Sequence, residues 1–232
     1  MNSKIVLLGA MAALTFSAAT TFAEDVAAGD GKGKKLVNDL QVDPELAISK
    51  NLDQSTEAIV SVPPTDRKSF TFEFEITIDK FYSYGKVWIG LTSSNSEQNA
   101  LIAFQKADDG ISRAFPEVST GPAQLSEVKS AEELKDGRYR VVFDYDVVAS
   151  SYRWTIFDDA DNLVYDSEPT KISGRLSLDR FYIKVIEQTD QNVSDVYYDG
   201  GSGIFFRSQI GHEGGIPYVI EGHVNKFSVL YK

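Results

Sequence analysis

Five large apolar side chains, Phe70, Phe72, Phe74, Ile76 and Ile78, alternate with Thr71, Glu73, Glu75 and Thr77. A period of two puts all five on one face of an extended strand and leaves the polar set on the other, so any fold must supply a second layer to cover the apolar ribbon. The same rhythm returns further on. Asp136-Gly137 makes a turn, and Tyr139, Val141, Phe143 and Tyr145 then share one side of a strand running to Asp146. After a short connection, Tyr152, Trp154 and Ile156 share a face of the next strand, with core packing the expected role of Trp154. Asp158 to Asn162 turns the chain into Leu163-Val164-Tyr165. Three consecutive antiparallel strands are expected here.

Other segments repeat the pattern more briefly. One or two edge strands are expected between Leu36 and Ile48, a strand at Ala58–Val62 stopped by Pro63-Pro64, another at Lys86–Leu91, and another at Ala100–Phe104. Phe81 to Gly85 reads as an aromatic loop. Ile111 to Leu134 reads as a long irregular connection, because Pro116, Gly121 and Pro122 interrupt any ladder, with a helical turn at Ser130–Leu134 whose Ser130 and Glu133 match a capping box. Late strands are expected at Arg175–Gln188, Val193–Tyr198, Ile204–Ile210, Tyr218–Glu221 and Val224–Tyr231. About eleven short strands without a long helix imply an all-β sandwich or barrel.

The N-terminus reads as an export signal: Lys4 precedes the apolar run Ile5–Ala13, and Ala18, Ala19, Thr21 and Ala23 supply small residues for cleavage. The expected organisation is a signal peptide over 1–23, a flexible glycine-rich leader over 24–35, and a single β-sandwich domain over 36–232. No later stretch approaches the roughly 20 apolar residues of a membrane-spanning helix, and the expected destination is secreted or periplasmic. The chain contains no cysteine, so stability must come from packing, and thiol chemistry and cysteine metal sites are excluded. A net charge of −11 argues against a nucleic-acid partner. It suits a neutral or cationic partner, or calcium, while a local patch of Arg and Lys would still admit an anionic one.

Taken together, Asp136-Gly137-Arg138-Tyr139-Arg140-Val141, Asp144-Tyr145-Asp146, Trp154-Thr155-Ile156 and Tyr197-Tyr198-Asp199 make the region from Ile59 to Lys232 resemble the concanavalin A-like and laminin G-like jelly rolls. That resemblance implies a two-sheet antiparallel β-sandwich, and members of the group that resemble this chain bind glycans, often with calcium, or cleave them. The paired acids of laminarinase-like hydrolases have no counterpart in Phe72-Glu73-Phe74-Glu75. The jelly-roll alginate lyases are echoed only in Arg207-Ser208-Gln209-Ile210-Gly211-His212.

Two sets of candidate site residues follow. Trp88 points away from the core face of its strand, and Tyr82 and Tyr84 precede it, so the three would form a stacking platform for a sugar ring; the alternative is that Trp88 packs in a second layer and the tyrosines cover an edge. The leading expectation is therefore an exported, non-catalytic carbohydrate-binding module, a lectin-like polysaccharide binder. The alternative is a polysaccharide lyase acting by β-elimination on a uronate. It needs a cation for the carboxylate, a base and an acid, roles that Arg207, Gln209, His212, Tyr218 and His223 would fill, with Arg207 opposite Gly222 if Gly214-Gly215 is a hairpin tip. Asp158, Asp159, Asp161 and Asn162, or Asp195 and Asp199, offer oxygens to a calcium ion, although neither spacing matches a known calcium loop.

Overall fold

The ribbon of phenylalanines lies in a strand that runs on to Phe81, and the rest of the molecule is layered around it. The computed structural model describes residues 35–38, 46–51, 55–65, 68–81, 86–95, 97–106, 110–121, 125–127, 130–131, 133–186, 192–199, 203–210 and 220–232. The strands in chain order are β1 (Lys35–Asn38), β2 (Leu46–Asn51), β3 (Ser55–Ser61), β4 (Phe70–Phe81), β5 (Lys86–Thr92), β6 (Asn99–Lys106), β7 (Ser112–Ser119) and β8 (Leu125–Glu127). They continue as β9 (Gly137–Asp146), β10 (Ser151–Asp158), β11 (Leu163–Asp166), β12 (Thr170–Lys171), β13 (Arg180–Ile186), β14 (Asn192–Asp199), β15 (Gly203–Ile210) and β16 (Ile220–Tyr231).

A nine-stranded sheet has the order β11-β10-β9-β4-β16-β15-β14, with β1 added along β16 and β12 along β10; a seven-stranded sheet has the order β2-β3-β13-β5-β6-β7-β8. Every pairing is antiparallel. The chain is thus an all-β, two-sheet antiparallel sandwich. The expected signal peptide over 1–23 lies outside the described residues, as does the expected flexible leader over 24–35 except for its last residue, Lys35, which opens β1. Among the described residues no helix is long and apolar enough to cross a membrane.

The core fills the space between the sheets. Phe70, Phe72, Phe74, Ile76 and Ile78 are all buried, as are Phe143, Tyr145, Tyr152, Trp154 and Ile156. Phe181 of the seven-stranded sheet joins the layers: its ring stacks on Phe227 at 4.1 Å and meets Phe72 at 6.0 Å, both from the nine-stranded sheet. On the opposite face of β4 the polar residues meet charged partners. Glu75 takes an ammonium from Lys226 at 2.5 Å and a guanidinium from Arg138. Burial disfavours the ionised form of Glu75, yet the two cations outweigh it and hold the carboxyl below its ordinary range.

Several sequence expectations are corrected. The stretch read as irregular contains β7, which pairs with β6 along its whole length, Pro116 lying opposite Ile102. The carbonyls of Ala114 and Ser112 accept from Ala131 N–H at 3.0 Å and Leu134 N–H at 2.8 Å, so they face away from β6. By alternation the nitrogen of Pro116 faces the same way, and the β6–β7 ladder loses no hydrogen bond to it. Nor do the described residues of Ser130–Leu134 form the expected capping-box turn: Ala131 and Leu134 are bound to the margin of β7 and buried there.

Among the described residues of the long strand expected over Arg175–Gln188, Arg180–Ile186 pairs as a strand. The preceding residues bury Leu176 and Leu178, and Leu178 exchanges bonds with Thr65, giving its N–H to Oγ1 at 3.0 Å and accepting from Thr65 N–H at 2.9 Å. The two strands expected at the C-terminus are one, β16, with register shifts at Glu221/Gly222 and Val224/Lys226. Gly222 is not a turn residue. A Cβ there would lie 2.2 Å from the Thr77 carbonyl oxygen and 2.8 Å from Phe206 Cζ, so glycine lets β16 lie close to β4. Phe81, expected in a loop, ends β4.

Candidate binding face and pocket

The outer face of the seven-stranded sheet is built from alternate residues of five strands, aligned in rows by the register. One row is Ser61, Arg180, Thr92, Asn99 and Ser119; the next is Ile59, Tyr182, Gly90, Leu101 and Glu117; the third is Glu57, Lys184, Trp88, Ala103 and Phe115. The inward residues between them, Phe181, Ile183, Ile89, Leu91, Ala100 and Ile102, are fully buried. Parity therefore settles which side chains face out, and strand order settles their neighbours.

The second row is interrupted at Gly90, which sets no side chain between Tyr182 and Leu101. Its φ is +157°, and a Cβ would meet the Ala100 carbonyl oxygen at 2.1 Å and Leu101 Cα at 2.9 Å. Around that gap lies a half-open pocket of about 300 Å³, lined by Glu57, Ile59, Thr92, Gln98, Asn99, Leu101, Arg180 and Tyr182. Ile59 and Leu101 are its aliphatic residues and Tyr182 offers a ring, while the remaining lining side chains are polar or charged, so the groups that converge here are mostly hydrogen-bonding ones.

The polar groups are held differently from one another. The Tyr182 hydroxyl donates to Glu57 Oε2 at 2.9 Å. Burial first, then the Glu57 carboxylate, keeps that phenol protonated far above its ordinary range, so it is a fixed donor. Asn99 Nδ2 donates to Glu117 Oε1 at 3.4 Å, and its Oδ1 is buried with no partner. Gln98 is a brace: its Nε2 donates to the carbonyls of Thr120 and Arg175, each at 3.1 Å, and its Oε1 accepts from Ser177 N–H at 2.7 Å. With its amide committed on both sides, Gln98 holds the pocket wall to β7 and to the segment before β13.

Trp88 stands one row from the pocket and half-buried, on the outer face as its parity required. Its indole is not bare, because the Lys86 ammonium sits 4.2 Å from the ring centroid. Tyr82 and Tyr84 lie outside the described residues. The sequence reading did not single out Tyr182 or Arg180. Their signal was present in the alternation of Arg180, Tyr182 and Lys184 with Phe181, Ile183 and Val185, but nothing local said that β13 lies between β3 and β5.

The described lyase candidates, Arg207, Gln209 and His223, fall on the other sheet. Arg207 lies opposite Glu221, not Gly222, because Gly222 pairs with Phe206. Its Nε and Nη2 both donate to Asp195 Oδ2, at 3.0 and 2.9 Å. His223 is stacked on Phe205 at 4.8 Å, Phe205 stacks on Tyr197 at 5.3 Å, and His223 Nδ1 lies 3.7 Å from Asp79. Arg207 and His223 thus share a sheet face one row apart. Gln209 lies in β15 opposite Val193, while His212 and Tyr218 lie outside the described residues.

The acidic turn considered for calcium is closed on itself. Asp158 Oδ1 accepts from the N–H groups of Ala160 at 3.0 Å and Asn162 at 2.8 Å, and Oδ2 accepts from Asn162 Nδ2 at 3.0 Å. Asp195 is spent on Arg207. Among the described residues no cluster of three or more His, Asp or Glu side chains is arranged to hold a metal ion.

No family model and no curated protein matches this sequence. Solved structures do resemble it in fold. The CBM2 module of the evolved Dit protein of Lactobacillus casei BL23 phage J-1 aligns with 12% identity and a TM-score of 0.52, covering 81% of this chain and 77% of that one. More distant matches include a protein of unknown function from Shewanella oneidensis MR-1, at 11% identity and a TM-score of 0.45 over 88% of this chain and 80% of that one. Basic winged bean lectin, solved with Tn-antigen, also aligns at 11% identity and 0.45, over 88% and 94% of the two chains.

Proposed function

We propose that this chain is an exported, non-catalytic carbohydrate-binding module that takes a glycan on the outer face of its seven-stranded sheet. The observation that carries the reading is the pocket at Gly90, where Tyr182 forms one wall, Leu101 the other, and Thr92, Asn99 and Arg180 line the space between. A sugar offers the matching chemistry: C–H faces for the apolar walls and Trp88 edge, and hydroxyls for the acceptor and donors. The phage structure that shares the sandwich bears the name of a carbohydrate-binding module, which agrees with the reading. Export is proposed from Lys4 and the apolar run Ile5–Ala13 ahead of the domain.

Retention of the full chain on immobilised polysaccharides tests the proposal, with Tyr182→Ala and Trp88→Ala compared with wild type. Each substitution is expected to weaken binding by about tenfold, the equivalent of roughly 1.4 kcal/mol. Wild-type protein that is retained on no polysaccharide, or variants that both keep full affinity, would refute it. Ultraviolet absorbance from unsaturated sugar products would instead favour lyase chemistry, for which Arg207 would first have to leave Asp195.

A further inference from the structure

Arginines facing out of the nine-stranded sheet each hold a carboxylate: Arg138 holds Glu75, Arg140 holds Asp161 at 2.9 Å, Arg153 holds Asp166, and Arg207 holds Asp195 at 2.9 Å. Arg180 departs from that pattern. It lines the pocket, is half-buried, and has neither an ion pair nor a side-chain hydrogen bond among the described residues. A guanidinium taken partly out of water without a counter-charge gives up hydration for nothing, and a planar anion that meets its fork of N–H groups would restore the loss.

The surrounding field points the same way. Outward positions of β3, β13, β5, β6 and β7 carry the cations Arg180, Lys184, Lys86 and Arg113 against the carboxylates Glu57 and Glu117, an excess of positive charge on a chain of net charge −11. Glu57 pairs opposite Lys184, four residues along β13 from Arg180, so Glu57 and Arg180 stand at opposite ends of the pocket, roughly 13 Å apart along the strand. The distance is enough for a sugar unit with its acid group at one end and its hydroxyls at the other.

Resting on the glycan reading above, we infer that the Arg180 end of the pocket is a carboxylate subsite, and that the ligand is an acidic, uronate-bearing polysaccharide. Arg180 takes the carboxylate in a two-pronged pair, Thr92 and Asn99 in the same row meet neighbouring hydroxyls, and Lys184 supplies long-range attraction toward Trp88. Glu57, already engaged by Tyr182, accepts hydroxyls and repels an acid group placed the wrong way round, which fixes the direction of the chain in the pocket.

The full chain is titrated on polygalacturonate, alginate and hyaluronate, each beside its carboxyl-reduced neutral form, and on dextran sulfate, with Arg180→Gln, Arg180→Lys and Lys184→Gln as variants. Thermal melts of the free variants show that each is folded. The expected result is at least one carboxylate polymer bound roughly tenfold or more tightly than its reduced form, weakening as salt is added. Arg180→Gln abolishes that preference by weakening binding to the acidic polymer far more than to its reduced form, and Arg180→Lys restores only part of it. Equal binding to acidic and reduced forms, a preference confined to dextran sulfate, or an Arg180→Gln protein that keeps its preference overturns the carboxylate subsite and leaves glycan binding standing. Retention on none of these nor on neutral polysaccharides overturns both.

Discussion

Gln98 makes a prediction in which fold and site cannot be separated. Gln98→Leu removes the side-chain amide and shortens the side chain by one atom, so the carbonyls of Thr120 and Arg175 and the N–H of Ser177 lose their partner together. Bonds to Thr120 and Ser177 are partly buried, and each is worth about 1 kcal/mol. The bond to Arg175 is exposed and water replaces it, so its loss adds little. A total near 2 kcal/mol corresponds to a melting temperature lower by about 4–8 °C in a domain of this size. Calorimetry measures that shift, and the same protein should lose glycan retention because the wall beside Asn99 is no longer anchored. Gln98→Glu supplies a second reading: it keeps the acceptor for Ser177 but turns an anionic oxygen toward two carbonyls, so it is at least as destabilising near neutrality and recovers when acid protonates it. A Gln98→Leu protein melting within about 1 °C of wild type would show that the brace is incidental.

Gly90→Ala is expected to cost about 1–3 kcal/mol in urea unfolding, because the added Cβ meets a backbone oxygen of β6 and not a movable side-chain tip. A loss below about 0.5 kcal/mol would mean that β5 and β6 part easily there. Acid stability should depend on Glu75, whose carboxyl is held below its usual value of 4.5. A group with a lowered folded pKa contributes stability that is complete above that usual value and disappears as pH falls through the folded one. Glu75→Gln should therefore lower the melting temperature at neutral pH, at a cost of roughly 1–2 kcal/mol, yet fall less steeply than wild type on acidification, and parallel melting curves for the two would refute the assignment. Asp158 and Asp166 are lowered as well, Asp158 by the amide of Asn162 and Asp166 by Arg153, so the variant retains some acid sensitivity.

Where a strand contains an unbroken alternation, its buried face was legible from the chain alone. Phe70–Ile78, Tyr139–Tyr145 and Tyr152–Ile156 needed no tertiary information, because side-chain direction in a strand is a local property and water makes the apolar side the inner one. The misreadings share one cause. Pro116, Ser130–Leu134, Gly222 and Arg175–Asp179 all carry residues whose local preference is a break, a turn, a cap or a strand, and each was overruled by a partner distant in sequence. Pro116 is tolerated because its nitrogen faces away from β6, and Gly222 is required because β4 lies against it.

For the proposed binding face, the sequence supplied the outward parity of Trp88, Arg180 and Tyr182. It did not supply their adjacency. Ile59, Tyr182, Gly90 and Leu101 share one row although Ile59 and Tyr182 come from distant parts of the chain, and the gap at Gly90 becomes a pocket only when β3, β13, β5 and β6 lie side by side. The local chain thus determined which side chains each strand offers to water. Only the order of strands in the sheet, set by burying Phe181 against Phe72 and Phe227, decided that Arg180, a fixed tyrosine donor and Asn99 would converge.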